Sequence, residues 1–202
     1  MASEVSKQRL EALSDGIYAV ALTILVLDLK LPSQSFGGDE GAFLNALEGL
    51  LPNLLTWLLS FWVLSIYWLA QVKLYRLTKD VDHAMVRFAF GELALISLLP
   101  FSTSLIGEHG DHVAAAAIYS LNLVGISALS LLRTTHVLNR TELHENQILS
   151  SYKVALSIGV WTRLWCASAT FALAFFYPGW NMLAMLLPTI LVPFLLKRRR
   201  LT

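Results

Sequence analysis

An all-α membrane protein with six transmembrane helices is the fold class this sequence predicts, on three observations. Of its 202 residues, 56% are hydrophobic and 14% charged, against roughly 45–50% and about 25% in soluble domains, and mean hydropathy is +0.61. The apolar residues gather into six segments separated by polar or turn-rich stretches, and a bilayer span needs about 20 of them. Lysine and arginine fall almost wholly on alternate connections, the pattern the positive-inside rule describes. A formal net charge of +1 leaves no electrostatic footprint for nucleic acid. The single cysteine, Cys166, excludes an intramolecular disulfide and any multi-cysteine metal site. No second domain or clear internal repeat interrupts the pattern, so the chain reads as one domain over 1–202.

The first segment is amphipathic at its base, Lys7-Gln-Arg-Leu-Glu-Ala-Leu-Ser-Asp15, and apolar from Gly16 to Leu27. A signal peptide is the bland alternative, but Glu11 and Asp15 crowd the apolar run, and Pro32 follows where a small-x-small cleavage site belongs. Only twelve residues between Asp15 and Asp28 are free of charge, too few to cross about 30 Å of hydrocarbon alone. A helix over about 8–30 therefore belongs inside the bundle, its charged ends against protein or water.

Pro32 to Gly41 reads as a loop from its turn residues. A second helix is expected over about 42–75, with Pro52 near its entry and Leu54 to Ala70 in the membrane. Its Trp57, Trp62, Tyr67 and Trp68 suit an aromatic belt or helix-packing faces better than cofactor stacking. Lys73 to Arg87 is polar and basic, read as a short loop, before a third span from about Phe88 to Ile106. Pro100 in that span removes a backbone donor, and Ser97, Ser102, Thr103 and Ser104 are placed to re-satisfy freed groups. A fourth span covers about 113–132, and Arg133 to Tyr152 forms a second polar stretch, partly helical at most. The fifth lies near 154–176, broken by Tyr177-Pro-Gly-Trp180; the sixth, about 181–196, contains Pro188 and Pro193 and ends on Lys197 to Arg200.

With the N-terminus inside, Lys7, Arg9, Lys73, Arg76, Lys79, Arg87, Arg133, Arg140, Lys153 and the terminal basic run all fall on the cytoplasmic side. The outer loops carry Asp39, Glu40, Glu48, Glu108 and Asp111. Both termini are therefore expected in the cytoplasm. The terminal basic run reads as a topology anchor, with anionic-lipid binding as its second reading.

Ionisable residues at membrane depth cost roughly 2.5 kcal/mol or more in lipid, which singles out Glu11, Asp15, Asp28, Glu92 and Arg163. For Glu92 and Arg163 a structural ion pair or hydrogen-bond anchor competes with a proton or substrate site. Arg9 and Asp15 read as a polar clamp on the first helix. At about 100° per residue, Val20 and Leu27 lie some 20° apart, with Ile24 about 40° to one side, Thr23 about 60° to the other, and Asp15 roughly 140° away. That stripe is either ordinary helix packing or the lining of a central axis. Glu108-His-Gly-Asp-His112 has ligand types suited to zinc but reads as a solvated turn, as do His136 and His144 near a cytoplasmic loop. No phosphate-binding glycine loop, His-Glu-x-x-His, Gly-x-Ser-x-Gly or Thr-Val-Gly-Tyr-Gly filter is present; no catalytic residue and no cofactor is expected.

Arg9-Leu-Glu-Ala-Leu-Ser-Asp15 resembles the Arg-x-x-x-Phe-Ser-Asp signature of the endo-lysosomal transmembrane potassium channel family in its prokaryotic single-repeat form, with Leu13 in place of phenylalanine. Tyr67-Trp68, Lys73-Leu-Tyr-Arg76 and Leu98-Leu-Pro-Phe-Ser-Thr-Ser-Leu-Ile-Gly-Glu108 extend the likeness across the first half of the chain. The resemblance implies a six-helix subunit in a homotetramer, the first helix of each lining a central pore without a selectivity-filter loop. Carried over by offset from Asp15, the apolar constriction becomes Val20, Ile24 and Leu27, with Thr23 as the nearest hydroxyl, the same stripe the wheel gives. Gln71 stands near where the family often has a histidine bonded to the signature, so the signature network here is expected to comprise Arg9, Ser14, Asp15, Gln71 and Glu92.

The expected function is thus a cation channel with modest preference for potassium over sodium, permeated by potassium and other monovalent cations. It would sit as a multi-pass protein in a prokaryotic plasma membrane and open and close at an apolar ring. A proton-coupled carrier using Asp15, Glu92 and Arg163 is the rival, although the broken-helix pair of such carriers is missing. A non-conducting membrane scaffold is the third possibility.

Overall fold

The computed structural model of the chain describes residues 5–31, 39–140 and 150–200. Most of the expected first loop (32–38) and the polar stretch 141–149, with His144, lie outside the described residues.

The first helices begin where the sequence supplies a start signal. The Ser6 hydroxyl accepts from the Arg9 N–H at 3.4 Å and opens α1, Lys7–Ile24, which tightens into a 3₁₀ turn over Leu25–Asp28. Asp39 caps α2, Glu40–Gly49, by accepting from the Gly41 and Ala42 N–H groups. Pro52 falls in the first turn of α3, Leu51–Leu77, where its missing N–H has no helical partner to lose. The expected continuous second helix is therefore two, because the proline restarts the chain after Gly49.

The connection expected over Lys73 to Arg87 is far shorter. α3 continues to Leu77, and α4, His83–Glu108, starts at once behind Asp82, whose carboxylate accepts from the Met85 N–H at 2.8 Å. Polar residues at a membrane surface remain helical when a cap is available, so loss of hydropathy marks the edge of the bilayer and not the end of the helix. The same error hid the length of α5, Val113–Asn139, which takes Arg133 into the helix. α4 passes through Pro100 unbroken; the Ser97 hydroxyl donates to the Ala94 carbonyl at 2.7 Å and the Ser102 hydroxyl to the Leu99 carbonyl at 3.0 Å.

α6, Ser150–Leu173, ends in a turn where Gly179 has φ +80° and a Cβ would stand 3.1 Å from the Gly110 carbonyl oxygen. Glycine is needed there for both conformation and close approach. A 3₁₀ segment, Asn181–Leu186, leads into α7, Leu187–Arg200, so Pro188 occupies the first turn of a new α-helix and only Pro193 lies in its interior.

Five of these segments are long and apolar enough to cross a membrane: Lys7–Asp28, Glu40–Leu77, His83–Glu108, Val113–Asn139 and Asn181–Arg198. The sixth, α6, has the length, with Arg163 in its middle. α4 and α5 share the largest interface, followed by α5 with α6, while α1 packs on α4 and α3. The core joins Tyr18, Leu64, Tyr67, Ile96, Tyr119 and Ile126; a smaller cluster of Leu10, Leu74, Tyr75, Met85 and Val137 closes the end where α1 begins. Between them, helices are tied by buried hydroxyls and amides: Thr103 donates to Ser60 at 3.1 Å, Asn122 to Ser102 at 3.2 Å and Asn181 to Ser120 at 2.8 Å. In a bilayer such bonds contribute about 0.6 kcal/mol each.

Candidate ion pathway and its supporting network

α1 has two faces with different neighbours. Leu10, Ser14, Tyr18, Ala21 and Leu25, spaced by three or four residues, are buried against the rest of the subunit. On the other side Leu13, Val20, Ile24 and Leu27 are 41%, 55%, 41% and 61% exposed, and a Cβ on Gly16 would meet nothing within 4 Å. An open groove of about 640 Å³ lies beside this stripe, walled by Leu13, Gly16, Val20 and Ile24 from α1 and by Pro100 and Phe101 from α4.

The 3₁₀ turn changes the expected geometry of the stripe. At about 120° per residue, Leu27 is brought directly in line with Ile24, where an α-helix would rotate it away. Val20, Ile24 and Leu27 then form three layers roughly 6 Å apart. The Thr23 hydroxyl donates into its own helix, to the Ala19 carbonyl at 3.1 Å and the Val20 carbonyl at 2.9 Å. Its proton is committed to the backbone, so the exposed oxygen offers only lone pairs outward, the polarity a cation requires.

The signature residues are not gathered into one cluster. Ser14 is buried, donating to the Leu10 carbonyl at 2.7 Å and lying 3.2 Å from the Tyr75 hydroxyl. Asp15 is exposed and accepts from the Trp68 indole N–H at 2.9 Å. Arg9 is exposed and makes no ion pair among the described residues. Six residues along a helix turn about 240°, which places Arg9 and Asp15 on different faces; of the two, Asp15 ties α1 to α3 through Trp68.

Gln71 and Glu92 do meet, through Arg133. The Arg133 guanidinium lies 3.0 Å from Glu92, both side chains 1% exposed, and donates to Gln71 Oε1 at 3.3 and 3.4 Å. It also stands 5.6 Å from the centre of the Tyr75 ring. Arg163 is not the partner of Glu92; it lies over the Tyr67 ring at 5.7 Å. Arg133, read as the start of a partly helical polar stretch, is the residue sequence reasoning missed. Ile126, Ser130, Arg133 and Val137, all buried, repeat at helical spacing on α5, a continuation of period that would have placed it inward. Asp15 is exposed and stands apart from the buried Glu92 and Arg163, so the three are not brought into one site among the described residues.

At the end of the bundle, His136 Nε2 lies 2.7 Å from Asp82 Oδ2 and joins α5 to the cap of α4. Partial burial raises the Asp82 pKa, but the Met85 N–H and the His136 ring outweigh it, leaving Asp82 below its ordinary value. In the turn between α4 and α5, the His109 and His112 rings meet edge to face at 5.9 Å. Among the described residues no three His, Cys, Asp or Glu side chains are placed to share a metal ion.

Comparison with known proteins agrees with this anatomy. The family described as endosomal/lysosomal potassium channel TMEM175 matches residues 9–100, from the base of α1 through Pro100 of α4. A potassium channel of Chryseobacterium sp. (strain P1-3) is 31% identical over 178 residues, 86% of this chain and 85% of that one. The endosomal/lysosomal proton channel TMEM175 of Homo sapiens is 31% identical over 106 residues, 48% of this chain and 20% of that one. The crystal structure of a lysosomal potassium-selective channel TMEM175 homolog from Chamaesiphon minutus superposes with a TM-score of 0.74 at 26% identity, covering 95% of this chain and 97% of that one. With near-full-length likeness in both sequence and fold, the chain belongs to the TMEM175 potassium channel family.

Proposed function

We propose that this member of the family, a potassium channel by its kinship, conducts along the exposed face of α1 in a homotetramer of whole chains, 1–202. Four copies of Val20, Ile24 and Leu27 form successive apolar rings around the axis, and the Thr23 oxygens offer ligands to a partly dehydrated ion. The observation that carries this is the division of α1: one face is built into the subunit core, and the other presents large aliphatic side chains beside an open groove. A stripe of that kind on a helix otherwise held by its own subunit calls for a partner surface, and copies of itself around an axis supply one. An apolar ring blocks ions by dewetting when narrow and passes them when wide and hydrated. Because it provides few ion ligands, preference for potassium over sodium is modest.

Arg9 and Asp15 act in assembly and gating, and the Glu92–Arg133–Gln71 cluster holds α3, α4 and α5 behind α1. The protein sits in a prokaryotic plasma membrane with both termini in the cytoplasm, which places its basic connections inside.

The test is electrogenic flux from liposomes holding the purified protein, under potassium or sodium gradients with a protonophore to complete the circuit. Potassium flux above sodium flux without need of a proton gradient is the expected result. Flux that saturates and requires a proton gradient would instead identify a carrier.

A further inference from the structure

A second groove lies between α3, α6 and α7 and shares no lining residue with the groove beside α1. It encloses about 400 Å³ and is walled by Trp62, Ile66, Leu69, Leu156, Val192 and Leu196, among other apolar side chains. Among the described residues two cations line it and no carboxylate does: Arg163 in its depth and Lys73 toward the end of the bundle where α3 finishes. Tyr152, from the first turn of α6, lines the same end, and exposed Lys197 and Arg198 follow Leu196 directly.

Arg163 is 7% exposed, makes no ion pair with a described residue, and has an Nε without a hydrogen-bond partner. Of the three buried charges near one another, Glu92 is taken by Arg133 at 3.0 Å, so among the described residues the set carries one positive charge more than it has carboxylates. An unpaired guanidinium at membrane depth is costly, and the Tyr67 ring face at 5.7 Å offsets only part of that cost. The missing component is an anion, and an anion that enters through an apolar groove must carry hydrocarbon with it.

We propose that this groove binds an anionic phospholipid of the cytoplasmic leaflet, its phosphate held between Arg163 and Lys73 and an acyl chain laid along Trp62, Leu69 and Val192. The fork of Arg163 suits two phosphate oxygens, Lys73 supplies a point charge, and Tyr152 offers a hydroxyl at the headgroup level. The site ties α6 and α7 to α3 by a molecule drawn from the bilayer. It does not depend on the path that ions take.

The test is native mass spectrometry of the detergent-purified protein exchanged against equal phosphatidylglycerol and phosphatidylcholine. A basic residue near a membrane surface favours anionic lipid by about fivefold, so two predict roughly twenty- to thirtyfold retention of phosphatidylglycerol over phosphatidylcholine. R163M is expected to cut the preference to about fivefold, and A155W, which fills the groove with both cations intact, to abolish it, whereas R76A outside the groove leaves it unchanged. If R163M does not fold, A155W carries the test alone. Equal retention of the two lipids, or a preference that survives A155W, overturns the proposal. So does displacement of phosphatidylglycerol by inorganic phosphate alone, which would make the site an anion site without a lipid.

Discussion

Replacing Arg133 by methionine keeps most of the side-chain length and removes the charge. In the native subunit its guanidinium is 3.0 Å from Glu92 and within 3.4 Å of Gln71 Oε1, with Glu92 and Arg133 each 1% exposed. Arg133→Met therefore strands a carboxylate inside the bundle and leaves an amide oxygen without its donor. Breaking a buried pair from one side costs about 3–5 kcal/mol, and at about 2–4 °C per kcal/mol for a chain of this size the unfolding midpoint falls by roughly 6–20 °C. Glu92→Gln alone is also destabilising, because it leaves Arg133 buried without its carboxylate.

The double substitution Glu92→Gln with Arg133→Met removes the pair as a unit. Its loss is expected to be smaller than the sum of the single losses by about 2 kcal/mol, the size of coupling found between contacting residues. Intrinsic tryptophan fluorescence during heating of the detergent-solubilised protein reads all three variants. A midpoint for Arg133→Met within about 2 °C of the parent, or a double variant whose loss equals the sum, would refute the assignment of this pair as the brace of α4 and α5. Surviving Arg133→Met protein should keep the parental ratio of potassium to sodium flux, since the pair lies behind α1.

Leu27→Ala and Ile24→Ala should each raise leak conductance in the liposome assay, and unchanged currents would remove those residues from the pathway. Trp68→Phe removes the 2.9 Å bond to Asp15 while keeping the ring; a loss of about 1 kcal/mol is expected, a solvent-exposed acceptor being worth less than a buried one, read as a small fall in unfolding midpoint. Gly179→Ala, at φ +80° and against the Gly110 carbonyl, should cost about 1–2 kcal/mol by the same measurement. Asp82 has a lowered pKa, so its contribution to stability is complete above the ordinary value of 3.8 and disappears as pH falls through its lower folded-state value. The stability difference between the parent and Asp82→Asn should therefore be present at neutral pH and vanish in acid; a difference that persists in acid would show that the carboxylate's charge is not what holds the α4 cap.

Hydropathy located the spans because the bilayer selects for it, and it failed where helices continue into water. α3 and α4 are separated by the few residues from Thr78 to Asp82, yet the whole stretch from Lys73 to Arg87 looks like a loop if charge is taken as a helix breaker. Asp82 followed by a helical run is a cap signal, legible in the sequence but outweighed there by the charge count. The Arg133 pairing was lost for the same reason. The stripe of Val20, Ile24 and Leu27 was legible because periodicity along one helix is local information. The identity of Arg133 as the partner of Glu92 was not, because it depends on how α4 and α5 settle against each other, and the close approach at Gly125, where a Cβ would stand 2.6 Å from Leu95 Cδ1, is a tertiary fact.

The placement of charge also bears on why the lining of α1 is apolar. Glu92, the buried carboxylate nearest the core face of α1, is held by Arg133 on the far side of that helix from Val20 and Ile24. A neutralised pair behind a helix contributes little field to a pathway in front of it, since the two opposite charges at 3.0 Å act at longer range only as a dipole. Asp15 faces neither the groove nor the core; its carboxylate is engaged by Trp68. The stripe is therefore left without a formal charge between Leu13 and Leu27, and on the pathway proposed above, discrimination among monovalent cations would come from dehydration at the aliphatic rings and from the Thr23 lone pairs. Thr23→Val keeps the shape and removes those lone pairs. It should reduce the preference for potassium while leaving the unfolding midpoint near that of the parent, and a potassium-to-sodium flux ratio unchanged in that variant would assign the discrimination to the rings alone.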